Sequence, residues 1–175
     1  MFIILGGLPG VGKSTVAKKL AGKIKAVYLR IDTIEQAIKN TNTDFPVFSE
    51  GYMTAYAIAK ENLELGLNVI ADSVNPIEVT RQDYRQVAKQ SKVPYIEIEL
   101  VCSDSTQHKN RIEVRQSSVT NLKLPTWQDV LDREYEIWHS ADMIIDTAIN
   151  SSVLAVDMII TEIKKRGCMV MNGSV

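Results

Sequence analysis

The residues that most clearly predict chemistry form a glycine-rich stretch near the start of the chain, Gly7-Leu8-Pro9-Gly10-Val11-Gly12-Lys13-Ser14. The spacing G-x-x-x-x-G-K-S is that of a phosphate-binding loop (P-loop) for ATP or GTP. Glycines let successive N–H groups turn inward around the phosphates, the lysine adds a charge, and the serine hydroxyl can bind Mg²⁺. The predicted nucleotide-binding residues are Gly7, Leu8, Pro9, Gly10, Val11, Gly12, Lys13, Ser14 and Thr15.

The flanks of the loop have the pattern that such a loop requires. Before it, Phe2-Ile3-Ile4-Leu5 is an apolar run typical of a buried parallel strand. After it, Val16, Ala17, Leu20 and Ile24 recur at helical spacing. Strand, loop and helix therefore follow in the expected order, and the amino end of the helix favours an anion. This context argues against a chance match in a glycine-rich turn.

Two aspartates follow predicted strands. Asp32 comes after the second strand, where it could orient or deprotonate an acceptor hydroxyl near the γ-phosphate. It could also cap a helix beginning at Thr33, with Glu35 completing a capping box. Asp72 ends the third strand, and an acid there commonly supports Mg²⁺ together with the loop serine, Ser14. The alternative for Asp72 is an ordinary residue of a turn.

Arginines form the second group of candidates. Arg111 and Arg115 are four residues apart on a predicted helix that also carries Lys109, so they would share one face. With Lys13 they could neutralise a moving phosphoryl group, although a solvated helix face is the alternative. Arg30, in an apolar strand, and Arg81 are candidates either for substrate binding or for ion pairs.

Other polar and aromatic side chains carry weaker signals. We include Glu35 and Tyr56 among the candidate substrate residues, together with Arg30, Asp32 and Arg81. His108 and His139 have no companions at metal-ligand spacing, so we expect both at the surface. Trp138 is expected in the core.

The pattern along the chain predicts a single α/β domain over residues 1–166, followed by a tail at 167–175. Strands are predicted at Phe2–Leu8, Ala26–Ile31, Asn68–Asp72, Tyr95–Val101 and Asp142–Asp146. Helices are predicted at Val16–Ile24, Thr33–Lys39, Gly51–Leu65, from Pro76 onward, Ser105–Gln116, Thr126–Trp138 and Ser152–Arg166. Polar loops at Thr41–Ser49 and Ser117–Pro125 are expected over a binding face.

Composition excludes several classes of function. The 175 residues carry a formal net charge of −1 and no long basic run, which argues against a general nucleic-acid partner. No apolar run approaches the ~20 residues of a membrane span, and the first residues read as a core strand rather than a signal peptide. Cys102 and Cys168 follow no metal or redox spacing. We therefore expect a cytoplasmic protein with reduced thiols.

With these residues in place, the chain resembles the small P-loop kinases, among them gluconate kinase, adenylylsulfate kinase and chloramphenicol phosphotransferase. The features that carry the resemblance are Gly7–Ser14, Arg30–Asp32, Ala71–Pro76, His108–Arg115 and Leu124–Trp127. The resemblance implies a three-layer fold with a parallel five-stranded sheet of order 2-3-1-4-5 and a lid after strand four, at about residues 105–126. It also implies an acceptor-activating role for Asp32, lid roles for Arg111 and Arg115, and an adenine site near Thr147.

These features predict an ATP-dependent phosphotransferase acting with Mg²⁺ on a hydroxyl group of a small molecule. Two alternatives stay open. A kinase of a nucleic-acid 5′-hydroxyl would use Asp32 in the same way, and a regulatory ATPase would hydrolyse ATP without an acceptor. A GTPase switch is disfavoured because no Asn-Lys-x-Asp motif is present. The sequence does not name the acceptor.

Overall fold

The computed structural model describes residues 1–41 and 49–167. The strands are β1 (Phe2–Gly6), β2 (Val27–Arg30), β3 (Val69–Asp72), β4 (Tyr95–Val101) and β5 (Met143–Asp146). The helices are α1 (Lys13–Ile24), α2 (Ile31–Thr41), α3 (Glu50–Glu64), α4 (Glu78–Gln90), α5 (Ser105–Val114), α6 (Trp127–Leu131) and α7 (Ser152–Lys165). Most of the predicted Thr41–Ser49 loop, Cys168 and most of the predicted tail lie outside the described residues.

The strands form one parallel sheet in the order β2-β3-β1-β4-β5. This confirms the fold class and the strand order that the resemblance implies. Because the strands are parallel, their carboxyl ends meet at one edge, where the P-loop, the start of α2 and the residues after β3 and β5 all lie.

Side chains of β1 alternate between two cores, one on each face of the sheet. Ile3 and Leu5 belong to a cluster with the buried residues of α1 and α7. Phe2 and Ile4 belong to the opposite cluster, which contains residues of α3 and α4 and the indole of Trp138. This period of two, with both faces buried, explains why β1 is a continuous apolar run.

Several predicted element ends are wrong for local reasons. Helix α2 begins at Ile31, so Asp32 lies in its first turn and is not its N-cap. Helix α4 begins at Glu78 instead of Pro76, after Asn75 has taken a left-handed conformation at φ 49°. The helix predicted to reach Trp138 begins with the expected capping box at Thr126 but ends at Leu131.

The part of the chain that the structure describes contains no helix that is both long and apolar enough to cross a membrane.

Candidate active site

The P-loop leaves β1 through backbone conformations that favour glycine. Gly7, Gly10 and Gly12 have φ angles of 131°, 86° and 99°. At Gly7 a Cβ atom would lie 2.1 Å from the carbonyl oxygen of Leu100, so the close approach of β4 also excludes a side chain there. Helix α1 begins at Lys13, within the loop, so the first N–H groups of the helix are available to an anion.

Three contacts from other elements fix the loop. The Gly7 N–H donates to the Val74 carbonyl at 3.0 Å, and the Thr147 hydroxyl donates to the Val11 carbonyl at 2.8 Å. Nε2 of His108 lies 2.7 Å from the Pro9 carbonyl oxygen. His108 is buried and its ring also contacts Trp127 edge to face, so the expectation of a surface histidine is wrong. The signal available in the sequence was the apolar Ile112, four residues later on α5, which indicates that this face of the helix is buried.

Lys13 lies within the loop. Its Nζ donates to the carbonyl oxygens of Gly7 and Leu8 at 2.8 and 2.9 Å, and the residue is 8% exposed. Burial lowers the pKa of Lys13 to about 8, although the nearby Asp72 and Asp32 carboxylates oppose this shift. The amine therefore lies among acceptors that a bound polyphosphate could replace.

Asp72 lies at the end of β3, buried and beside Ser14. The Tyr28 hydroxyl donates to Asp72 Oδ2 at 2.6 Å and also meets the Ser14 side chain. Burial and the Asp72 charge raise the pKa of Tyr28 well above its ordinary value, so the phenol remains a donor. Sequence reasoning missed Tyr28. Its only signal in the sequence is a side chain with a hydroxyl group within the apolar strand β2.

The pair Ser14 and Asp72 fits Mg²⁺. Both offer hard oxygen ligands, and Mg²⁺ is commonly held by one or two carboxylates together with substrate phosphates and water. Within residues 1–41 and 49–167 no group of three or more His, Cys, Asp and Glu side chains could hold a metal by itself. A metal bound here would therefore depend on the nucleotide for further ligands.

Asp32 projects from the first turn of α2 and its side chain is about half exposed. Nη2 of Arg30 donates to Asp32 Oδ2 at 2.9 Å. Arg115 is near enough for the Asp32 charge to stabilise its charged form, while burial, the larger effect, lowers the pKa of Arg115. Asp32 thus faces two guanidinium groups, and it accepts a hydrogen bond from that of Arg30.

Arg111 and Arg115, for which the resemblance implies lid roles, occupy different positions. Arg111 donates from Nη1 to the Thr147 hydroxyl and from Nη2 to the Thr147 carbonyl, both at 2.8 Å, and it also contacts Gln107. Arg115 follows the last residue of α5 with extended dihedral angles, so the expectation that the two share one helix face is wrong. Arg115 Nε is buried and has no hydrogen-bond partner within the described residues.

Most of the predicted residues line one cleft of about 1280 Å³ at the carboxyl edge of the sheet. The candidates in its wall are Pro9, Gly10, Gly12, Lys13, Ser14, Thr15, Arg30, Asp32, Glu35, Asp72, Arg111 and Arg115. Burial raises the pKa of Glu35, and the neighbouring Lys39 opposes this shift. The cleft continues past the loop Ser117–Pro125, here called the lid loop, to Asp132 and Arg133.

Tyr56 and Arg81 are not part of the cleft wall. The Tyr56 hydroxyl donates to the Thr80 carbonyl at 3.3 Å, and Tyr52, one turn earlier, lines the cleft instead. Arg81 has no exposed surface and lies over the Trp138 ring. It donates to the carbonyl oxygens of Asn75, Pro76, Glu136 and Ile137 at 2.7 to 3.2 Å.

The Arg81 bonds join the segment after β3, at Asn75 and Pro76, to the segment between α6 and β5, at Glu136 and Ile137. They also indicate a structural rather than a substrate-binding role for Arg81.

Comparison with known proteins identifies the family and the fold. Residues 2–136 match the model of the AAA_33 family, described as an AAA domain. The chain belongs to this family. An L-seryl-tRNA(Sec) kinase of Methanococcus maripaludis is 32% identical over 156 residues, which are 84% of this chain and 59% of the relative. The chain thus spans about three fifths of the length of this curated relative.

Solved structures share the fold of this AAA_33 protein at low sequence identity. An APS kinase of Mycobacterium tuberculosis, in complex with AMPPNP and APS, has a TM-score of 0.71 at 16% identity, over 93% of this chain and 96% of that one. A gluconokinase of Sinorhizobium meliloti has a TM-score of 0.61 at 18% identity, over 95% and 97%. Chaetomium thermophilum Kti12 with ADP-AlF3 has a TM-score of 0.64 at 17% identity, over 99% and 100%.

These comparisons confirm the resemblance to small P-loop kinases.

Proposed function

We propose that the protein transfers the γ-phosphoryl group of ATP, bound with Mg²⁺, to a hydroxyl group of a small molecule. The observation that carries the proposal is the position of Asp32. Its half-exposed carboxylate lines the same cleft as Lys13 and Arg115 and is held in place by Arg30. A carboxylate fixed at the edge of a P-loop cleft can accept a proton from an acceptor hydroxyl.

The division of roles follows from the positions of the side chains. The loop N–H groups and Lys13 bind the β- and γ-phosphates, and Arg111 with Thr147 forms the wall on the adenosine side. Ser14 and Asp72 would hold Mg²⁺, which would neutralise phosphate charge. Arg115 stabilises the charge of the phosphoryl group during transfer, while Asp32 orients the hydroxyl and takes its proton. The lid loop above them excludes water from the cleft.

The decisive experiment is ATP turnover with Mg²⁺ against a panel of hydroxyl compounds, with product mass read directly. The panel contains adenylylsulfate, sugar acids, aminoglycosides, nucleosides and a 5′-hydroxyl oligonucleotide. We expect one compound to gain a single phosphoryl group, and Lys13→Ala to abolish this gain. ATP hydrolysis that no acceptor accelerates or diverts would contradict the proposal and favour a regulatory ATPase.

Asp32 is tested by Asp32→Asn, which keeps the shape and removes the base. Loss of a positioned general base typically costs about 10²–10⁴-fold in rate, so we expect a fall of at least about 100-fold in kcat with unchanged nucleotide affinity. Asp132→Asn, another carboxylate in the cleft wall, is the matched control and should retain activity. Full activity of Asp32→Asn would show that the assignment of the base is wrong.

A second candidate acceptor is a hydroxyl group attached to RNA. The observation that favours it is the relative named L-seryl-tRNA(Sec) kinase, which is 32% identical to this chain. The net charge of −1 and the 59% coverage of that relative argue against it. Adding seryl-tRNA to the acceptor panel separates the two candidates. Only with an RNA acceptor would the added phosphoryl group be found in a product that nuclease degrades.

A further inference from the structure

Arg30 is more deeply buried than the carboxylate that it pairs with. Its side chain is 13% exposed, against 48% for Asp32. Nη2 donates to Asp32, Nη1 donates to the Ser118 hydroxyl oxygen at 3.1 Å, and Nε has no partner within the described residues. A guanidinium offers a planar fork of donors that matches an oxyanion, and here only one arm of the fork meets a charge.

The Ser118 hydroxyl oxygen is the point where two cations converge. Besides Arg30, Lys18 Nζ lies 3.5 Å from the same oxygen. A neutral hydroxyl is a weaker acceptor than an anionic oxygen, so Nη1 of Arg30, unlike Nη2, bonds an uncharged group here. The position that Ser118 fills therefore has the donors of an anion site, occupied by an uncharged group from the lid loop.

The charges around this position leave an excess of cations. Arg30 and Lys18 contact it, and Arg115 lies near Arg30. The acids of this region are Asp32, which faces both guanidinium groups, and Asp72, which accepts a hydrogen bond from Tyr28. The other acid of α2 in the cleft, Glu35, is faced by Lys39 and Arg133.

This position lies on the acceptor side of the cleft. In the strand order β2-β3-β1-β4-β5, Arg30 ends the edge strand β2, two strands from the P-loop strand β1. Arg111 and Thr147, which form the adenosine wall, follow β4 and β5 on the opposite side. An anion beside Arg30 would therefore belong to the molecule whose hydroxyl faces Asp32.

We propose that the acceptor itself carries an anionic group, and that Arg30 and Lys18 bind this group at the position now filled by the Ser118 hydroxyl. The inference rests on the proposed kinase function and narrows its acceptors to hydroxyl compounds bearing a phosphate, sulfate or carboxylate. Ser118 leaves the site when the acceptor enters, so the lid loop and the acceptor compete for Arg30.

The test uses inorganic sulfate as the probe and needs no turnover. The protein is saturated with AMPPNP and Mg²⁺ so that the γ-phosphate position is filled, and sulfate binding is measured by calorimetry. We expect one sulfate per protein, and Arg30→Gln to weaken its binding by at least about tenfold, as expected for a lost charge-assisted contact. Arg133→Gln, another cation of the cleft wall, should bind sulfate like the unmodified protein.

The variant Ser118→Ala tests whether Arg30 belongs to an anion site or only holds the lid loop in place. If Arg30 and Lys18 form an anion site, removing the competing hydroxyl should leave sulfate affinity unchanged or increase it. If Arg30 serves only to hold the lid, Ser118→Ala should lose the bound sulfate just as Arg30→Gln does, and the proposal is refuted. Unchanged AMPPNP affinity and an unchanged melting temperature verify that each variant is folded.

Two results would overturn the inference: no sulfate bound beside AMPPNP, or sulfate binding that Arg30→Gln leaves intact. Repeating the titration with inorganic phosphate and with acetate distinguishes a tetrahedral anion from a carboxylate as the preferred group. Failure here is separate from failure of the kinase proposal, because a protein that phosphorylates a neutral acceptor would turn over ATP yet bind no anion at Arg30.

Discussion

The hydrogen bond between Tyr28 and Asp72 gives the most direct test of the predicted Mg²⁺ site. Tyr28→Phe removes a donor at 2.6 Å from a carboxylate that is 3% exposed, so water does not readily replace it. A hydrogen bond to a charged group contributes about 1.5–3 kcal/mol, and loss of a partner that orients a metal ligand costs about 10–100-fold in metal affinity. We therefore expect Tyr28→Phe to raise the Mg²⁺ concentration needed for nucleotide binding by at least about tenfold.

The assay is a Mg²⁺ titration of a fluorescent ADP analogue bound to the protein, so it does not depend on catalysis. Without Mg²⁺ the variant and the unmodified protein should bind the analogue equally, because the P-loop itself is unchanged. Tyr95→Phe, at the opposite end of the sheet, is the matched control and should not shift the titration. An unshifted titration for Tyr28→Phe would refute the reasoning that Tyr28 orients a metal ligand.

Two further predictions follow from buried cations. Burial lowers the pKa of Lys13 to about 8, so the amine loses its proton above that pH. The affinity for ADP with Mg²⁺ should therefore be constant below about pH 7.5 and weaken by up to about tenfold per pH unit above about pH 8. Calorimetry at several pH values checks this, and the affinity of Lys13→Met should not depend on pH in this range. A constant affinity of the unmodified protein up to about pH 9.5 would contradict the lowered pKa of Lys13. Arg81→Met removes the donor of four carbonyl groups, and a buried group left unsatisfied costs about 1–3 kcal/mol. Urea denaturation should therefore show a free energy of unfolding lower by about 3 kcal/mol or more. Arg81→Lys should not restore the stability, because an ammonium group lacks the planar fork of donors. If substitution of Arg81 instead changed only the KM of an acceptor, a substrate-binding role would be supported.

The P-loop and the sheet could be predicted because local sequence determines them. A strand buried on both faces, a run of glycines and an amphipathic helix each leave a pattern within a few residues. The same holds for the capping box at Thr126, which the structure confirms. The strand order came from the resemblance to small kinases, because no local pattern specifies which strands are neighbours.

The contacts that brace the site could not be predicted, since they join residues distant in the sequence. Tyr28 meets Asp72 across 44 positions, and His108 meets Pro9 across 99. For Arg81 the sequence leaves substrate binding and an ion pair open, because a charge near a strand end is ambiguous until its partners are known. Its four carbonyl partners come from two loops that are distant in the sequence.

Helix α5 and the chain after it are attached to the P-loop in different ways. His108 and Ile112 pack against Pro9 and Gly10, so the helix is braced directly on the P-loop. The helix ends at Val114, and the chain from Arg115 onward is no longer tied to it by helical bonds. Changes of length or composition after Val114 can therefore remodel the wall of the cleft beside Arg30 while the P-loop keeps its contacts with α5. That wall is thus open to variation independently of the wall that the P-loop forms.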